Sequence, residues 1–300
     1  MKAIGASVLR FVGLLAAASV IIFVLLRAVP GDPARVALGV NATEEAVAEL
    51  SQRLGTDRPL VEQYFSWISG LITGDFGVSL ASGQNMTSTI LERGGVSLTL
   101  TLAAVVVALA AAVPLGVRLA RRPGPVLEVL TQLGIAVPSF LVGILLVALF
   151  SVRLGWLPAN GWGTVRHAIL PVASLALVQA AILTRYVRTA VASEMGKDYV
   201  RTGRAQGASI SDVLYGHVLR NAALPVLTVT GLQLSTMIVG AVVIERVFAI
   251  PGLGSLLIDA VGNRDLTTVQ TVMMLLVTFT LLVNLVVDVL YAVIDPRVRA

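Results

Sequence analysis

Residues 201–225 read RTGRAQGASISDVLYGHVLRNAALP. In a chain that is 56% hydrophobic, this segment is basic, polar and marked by glycines, and an apolar run resumes directly after it. Hydrocarbon is no environment for such a stretch, so it has to meet water, headgroups or protein. Gly207 separates two short pieces. The first runs from Lys197 to Gln206. The second opens at Ser209, whose hydroxyl suits an N-cap, puts Ile210, Val213, Leu214 and Val218 on one stripe, and ends at Asn221. The pattern predicts a helical hairpin, within a loop at 191–221, lying at the inner membrane surface. Its apolar stripe costs free energy in water and needs headgroups or a protein groove. Gly203 and Gly207 match the G-x-x-x-G pairing pattern, but the flanking arginines remove the apolar span on which that pattern depends.

The sequence around the hairpin is that of an all-α polytopic membrane protein. Only 13% of the residues are charged and the mean hydropathy is +0.89, whereas soluble domains carry about 25% charge. Six apolar runs have spanning length: Phe11 to Leu26 with its extension to Val29, Val96 to Leu119, Val129 to Val152, Ala168 to Tyr186, Ala222 to Val243 and Val269 to Ile294. Lipid offers a backbone amide no partner, so each run must be helical. Pro114, Pro138 and Pro171 mark local breaks within or beside them. The first run follows Lys2 and Arg10 like a secretory signal, but its length and the turn after it fit an uncleaved anchor.

Thirteen of the 22 lysines and arginines fall on one side of the membrane if the amino terminus is inside. That bias predicts a cytoplasmic location for both termini. The net charge of +5 therefore reflects membrane orientation, not nucleic-acid binding, because the basic residues sit in short loops between spans. The organisation expected is a first segment and span at 1–29, an extracytoplasmic segment at 30–95, and a five-helix core at 96–300. In the outer segment, TEEAVAELSQRLG predicts a helix capped by Thr43 and stopped by Gly55. PLVEQYFSWISGLIT follows from Pro59, and its Tyr64, Phe65 and Trp67 suit a helix at the outer interface.

Catalytic chemistry finds little support. The single Gly-Lys pair, Gly196-Lys197, lacks the upstream glycine and the hydroxyl of a nucleotide-binding loop, so the chain cannot hydrolyse ATP by itself. No cysteine is present and there are two histidines, which leaves no thiolate chemistry and little for a metal. Ser209 and His217 share one polar loop and read as a solvated pair, not a catalytic one. In the spans the polar residues are mostly amides and hydroxyls: Gln132, Ser139, Gln179, Gln233, Thr236 and Asn284. They either line a wet passage or bond helix to helix. Asp288 is the ionisable exception, on one face with Asn284 and Tyr291, and fits a structural ion pair or a gate.

Several motifs in order resemble one family. They are PGDP at 30–33, LGTDRPLVEQYFSWISGLITGDFGVSL at 54–80, VPSFLVGILL at 137–146, LGWLPANG at 154–161 and ILPVASLAL at 169–177. DYVRTGRAQGAS at 198–209, HVLRNAALPVLT at 217–228, ERVFAIPGLGSLL at 245–257 and DPRVR at 295–299 complete the series. Together they resemble the permeases of the dipeptide, oligopeptide and nickel group of ATP-binding cassette (ABC) importers, over nearly the whole chain. The resemblance implies a type I ABC importer permease fold in a bacterial inner membrane. It also implies a coupling loop, the EAA motif, that sits in a groove of an ATPase subunit. Arg201, Thr202 and Gly203 stand at its Glu-Ala-Ala triplet, Gly207 at its glycine, and Arg204, Ala205, Ala208, Ser209, Ile210, Val213 and Leu214 complete the contact region. Two departures are Gly203, where the branch commonly has alanine, and RDLTTVQ at 264–270 in place of RDYPVVQ.

The partners implied are a second, similar permease, two ATPase subunits that hold Mg-ATP, and an extracytoplasmic solute-binding protein. No cofactor is expected on this chain itself. The cargo implied is a dipeptide or oligopeptide, with nickel or a metal chelate as the alternative. A stand-alone channel or ion-coupled carrier is the more distant reading.

Overall fold

The computed structural model describes residues 2–28, 33–39 and 41–294. The PGDP turn and the terminal DPRVR lie wholly or mostly outside the described residues. Among these, the chain is helical, with one isolated bridge between Val78 and Asn85. The helices are α1 (Lys2–Arg27), α2 (Pro33–Leu38), α3 (Glu44–Leu54), α4 (Leu60–Thr73), α5 (Thr87–Arg121), α6 (Pro125–Ala136) and α7 (Ser139–Leu146). They continue with α8 (Val165–Met195), α9 (Asp198–Ala205), α10 (Ile210–Val213), α11 (Leu219–Val247), α12 (Leu253–Gly262) and α13 (Leu266–Ile294). Wider π-helical turns extend α7 over Val147–Arg153 and join α10 to α11 over Leu214–Val218.

Five described helices are long and apolar enough to cross a bilayer, or six if α6 and α7 with its extension form one broken span. That sixth span departs from expectation. The run Val129 to Val152 is not one helix with a kink; its limbs meet at 104°. Val137, before a proline, is pushed to φ −91° and ψ 123°, and Pro138 itself has ψ 142°, so two consecutive extended residues turn the corner. Pro114 and Pro171, expected to mark breaks, lie inside the unbroken helices α5 and α8.

The chain divides into two compact units, one of residues 1–9, 98–250 and 282–300, the other of 10–97 and 251–281. In the first, α8 is the central post, packed against α6, α7 and α11. Small residues permit the approach. A Cβ on Gly116 would lie 2.6 Å from that of Val187, and one on Gly134 2.7 Å from that of Ala181. Such contacts replace the hydrophobic effect as the cohesive force between helices in lipid. Arg188 also pairs with Glu128 at 3.0 Å, tying α8 to the first turn of α6.

In the second unit the outer helices form as their sequences indicate. Thr43 accepts from the Ala46 amide at the start of α3, and Gly55 ends it at φ 69°. On α4, the rings of Tyr64 and Trp67 pack on Phe23 of α1. Met86, Ile90, Leu256 and Val272 form a small buried core. Asp265, immediately before α13, is 4% exposed and takes four hydrogen bonds. They come from Ser79 Oγ (2.5 Å), the Leu80 amide (3.1 Å), the Thr268 amide (3.2 Å) and Thr268 Oγ1 (2.7 Å). One carboxylate thus caps α13 and clamps the GDFGVSL turn.

Removing that carboxylate strands four donor groups, with a cost on the order of 3 kcal/mol. Asp265→Ala should lower the apparent melting temperature of the detergent-purified protein clearly, and Asp265→Asn should lower it less. Fluorescence-detected size exclusion after a temperature series measures both.

Candidate coupling loop and membrane pathway

The candidate coupling segment begins where α8 stops. Glu194, near the end of α8, accepts from Lys197 Nζ at 2.5 Å and from the Tyr199 hydroxyl at 2.9 Å, which fixes the entry into α9. Burial pushes the Tyr199 phenol above its ordinary value, with Glu194 adding to the rise and an Asn221 hydrogen bond opposing it. The second limb differs from the sequence expectation. Asn221 does not end it, and helix continues from Ile210 through Val247.

Between α9 and α10 the backbone reverses at Gly207, where φ is 92°. A residue with a Cβ is strained there, and a β-branched one more so. Ser209 then caps α10 by a full capping box: its hydroxyl accepts from the Asp212 amide, and Asp212 accepts from the Ser209 amide at 3.1 Å. Ser209 is thereby a capping residue, and no contact with His217 is needed to account for it.

The apolar stripe is not left for a partner. Val213, Leu214 and Val218 are at most 3% exposed, packed with Val200, Val117, Val187, Val191 and Ala222 of the same chain. Ile210 is half-buried. The groove that the stripe requires is therefore supplied in cis by α5, α8 and α9, and Val213 and Leu214 form a stem and not a contact face. The surface offered outward consists of Arg201, Thr202, Arg204, Ala205, Gln206, Gly207 and Ser209, with Gly203 and Ala208 half-buried behind them. A Cβ on Gly203 would approach Val213 Cγ2 to 3.3 Å, so the glycine lets the turn sit close to its stem. The Arg201–Asp198 pair, at 3.6 Å and largely solvated on both sides, adds little stability.

Mechanically this is a tip on a rigid stalk. The turn at 201–209 stands on a buried stem that continues into α11 through Leu214–Val218 and packs on α8 through Val187 and Val191.

The pathway candidates separate. Gln179, buried on α8, accepts from Gln233 Nε2 of α11 at 2.9 Å, so these two bond helix to helix. Thr236 is exposed and its hydroxyl bonds back to the Gln233 carbonyl. Gln132 is exposed on α6, Ser139 is half-buried at the start of α7, and Asn284 and Asp288 are half-buried on α13. Among the described residues no cluster of three or more metal-ligating side chains occurs.

A family model described as "Binding-protein-dependent transport system inner membrane component" matches residues 104–300, and the model of its N-terminal region matches residues 2–103. The chain belongs to this family. It is a multi-span inner-membrane permease subunit of a bacterial ABC importer, and is not catalytic by itself. The permease is 40% identical over 285 residues to the glutathione transport system permease protein GsiC of Escherichia coli K12, covering 94% of this chain and 93% of that one. It is 36% identical over 300 residues to a probable peptide ABC transporter permease protein, y4tP, of Sinorhizobium fredii, with 96% of both covered. Among solved structures it resembles an inward-facing form of the MetNI methionine ABC transporter, with a TM-score of 0.62 at 18% identity. That match covers 70% of this chain and 98% of the other. An amino acid ABC transporter crystallised with histidines matches with a TM-score of 0.55 at 14% identity, over 69% and 94%. The fold is that of a type I ABC importer permease.

Two permease residues escaped the sequence reading of an almost uncharged interior. Glu245, near the end of α11, is 1% exposed. Phe248, just beyond it, is equally buried, and its carbonyl accepts from the Gly161 amide at 2.8 Å. Its ring lies where a Cβ on Gly143 would come within 3.0 Å. The usable signal was the ERVFAIPGLG string, in which an acid stands within the last turn of an apolar run.

Because Leu214 is wholly buried against its own chain, Leu214→Asp should abolish accumulation of monodisperse permease, a loss of several kcal/mol from a buried unpaired charge. Tyr215→Asp, one residue on at a position 67% exposed, should leave expression and size-exclusion behaviour close to those of the unmodified chain.

Proposed function

We propose that this permease carries short peptides across the cytoplasmic membrane after delivery by an extracytoplasmic solute-binding protein. The observation that carries the reading is whole-length similarity to permeases named for glutathione and for peptides. Glutathione is itself a tripeptide, so both names describe one cargo class: small, amide-rich and charged at its ends. A passage lined with amides and hydroxyls suits such cargo, because it offers weak hydrogen bonds without trapping a charge.

The motor is a pair of ATPase subunits holding Mg-ATP, and the exposed turn at 201–209 is where they push. A second, similar permease completes the pathway as a heterodimer. Both termini face the cytoplasm, which puts the turn on the same side as the ATPases, in keeping with the basic bias of the short loops. ATP binding draws the two turns together and rotates the spans from inward- to outward-facing, and hydrolysis resets them. The stalk geometry supports this: an exposed basic tip stands on a buried stem continuous with a spanning helix.

Reconstituted with its partner subunits and binding protein in liposomes, the complex should accumulate labelled di- and tripeptides with ATP inside the ATPase compartment. Uptake of nickel or its chelates without peptide uptake overturns the cargo assignment. Gly207→Val, and separately Arg201→Glu with Arg204→Glu, should reduce peptide transported per ATP hydrolysed by roughly tenfold while the permease still folds, since αL strain of about 1–2 kcal/mol falls on the tip alone. Undiminished coupling in both variants would refute the placement of the motor contact.

A further inference from the structure

The outer end of α1 meets α4 around Phe23. Arg27 lies over the Phe23 ring at 5.2 Å, Trp67 stacks beside that ring at 6.3 Å, and Tyr64 meets it edge-on at 5.4 Å. The Tyr64 hydroxyl is satisfied by Ser19 Oγ at 2.8 Å. Three polar atoms here are not satisfied among the described residues: Arg27 Nε, Trp67 Nε1 and Gln63 Oε1, all buried. The Gln63 assignment is fixed by its amide nitrogen, which donates to the carbonyls of Thr56 (3.0 Å) and Arg58 (2.7 Å). Gln63 and Trp67 are one turn apart on α4 and so share a face. No carboxylate pairs with Arg27 among the described residues.

Two N–H donors, one of them cationic, and one acceptor are thus gathered at the point where the first span ends. Arginine and tryptophan at that depth are the residues that meet lipid headgroups. We propose that this junction binds the headgroup of an anionic, hydroxyl-bearing phospholipid. Its phosphate accepts from Arg27 and Trp67, and a headgroup hydroxyl donates to Gln63. The charge of Arg27, which has no carboxylate partner among the described residues, selects an anionic lipid over a zwitterionic one. Arg27 is half-buried and α4 has no buried residue, so rotation of side chains suffices to admit the headgroup. The bound lipid fastens α4 to α1. The site requires the membrane-spanning fold and is independent of the cargo.

Native mass spectrometry of the whole importer complex, released from detergent after addition of phosphatidylglycerol, tests this. The unmodified complex should retain the lipid, and Trp67→Phe and Arg27→Gln should each retain it about tenfold less, the effect expected from losing one hydrogen bond to a charged group. Trp67→Phe removes only the N–H and keeps the ring, so it remains informative if Arg27→Gln fails to assemble. Equal retention by the variants overturns the site. Equal retention of phosphatidylethanolamine overturns the anionic selection. Full displacement by soluble glycerophosphoglycerol at the same concentration shows a free-phosphate site and overturns the lipid assignment. Peptide uptake by the variants reports separately on the transport reading.

Discussion

Leu214, packed without exposure between α8 and the start of α11, is the contact on which the rest of the molecule's proposed work depends. A polar, basic turn cannot enter hydrocarbon, so the chain must leave the bilayer between α8 and α11 and return. If the returning limb were loosely held, any force on the turn would be lost in its own bending. Val213, Leu214 and Val218 prevent that by filling the space under Val187, Val191 and Val200. Packed interiors shift between discrete arrangements more readily than they compress. A displacement of the tip is therefore a displacement of two spanning helices, of 31 and 29 residues, each roughly 45 Å long at about 1.5 Å per residue.

The second consequence of the bilayer lies at the broken span. An extended pair of residues at Val137 and Pro138 exposes backbone groups that a lipid-facing helix would have satisfied internally. The break is compatible with a membrane because both limbs lean on α8, α6 through Gly134 on Ala181 and α7 through Gly143 beside Ser174. Gly143 also lies under Phe248, so α7 is held between α8 and the C-terminal end of α11. Ala249, next in sequence, has φ 48°, a conformation costing an alanine about 1 kcal/mol or more, and it persists because Phe248 and Ile250 are locked on either side. The same two helices that carry the coupling stem thus meet again, at their far ends, around a turn with little freedom.

Local chemistry was legible in the sequence and destinations were not. Thr43, Gly55 and Ser209 could be placed as caps because a cap needs only residues within the same turn. The spans were legible because the solvent dictates helix regardless of neighbours. The stripe of Val213, Leu214 and Val218 said that burial was required but not against what, and a groove in another protein and a groove in cis leave the same periodicity. Prolines show the limit plainly: Pro114, Pro138 and Pro171 look alike in an apolar run, yet only Pro138 turns a corner, since neighbouring helices decide whether a missing hydrogen bond is tolerated. Asp265 was invisible for a simpler reason. Two of its four donors come from Ser79 and Leu80, on the far side of the sequence.

The pairing of Gln179 with Gln233 bears on how such a subunit can be unselective without being leaky. An amide that faces hydrocarbon is costly, so in a static bundle every one should be bonded to a neighbour, as these two are. An amide that faces a passage is instead satisfied by water or cargo, and it can exchange one for the other at little cost. Spans that rotate must convert residues from the first kind to the second. A Gln–Gln bond is well suited to this, because it is worth only about 0.6 kcal/mol on average and both partners can be rehydrated. An ion pair in the same place would hold the closed form too firmly and would bind charged cargo too well to release it. In the proposed cycle, the sparse charge of the interior is thus a requirement of alternation itself, and discrimination among cargoes falls to the proposed binding protein.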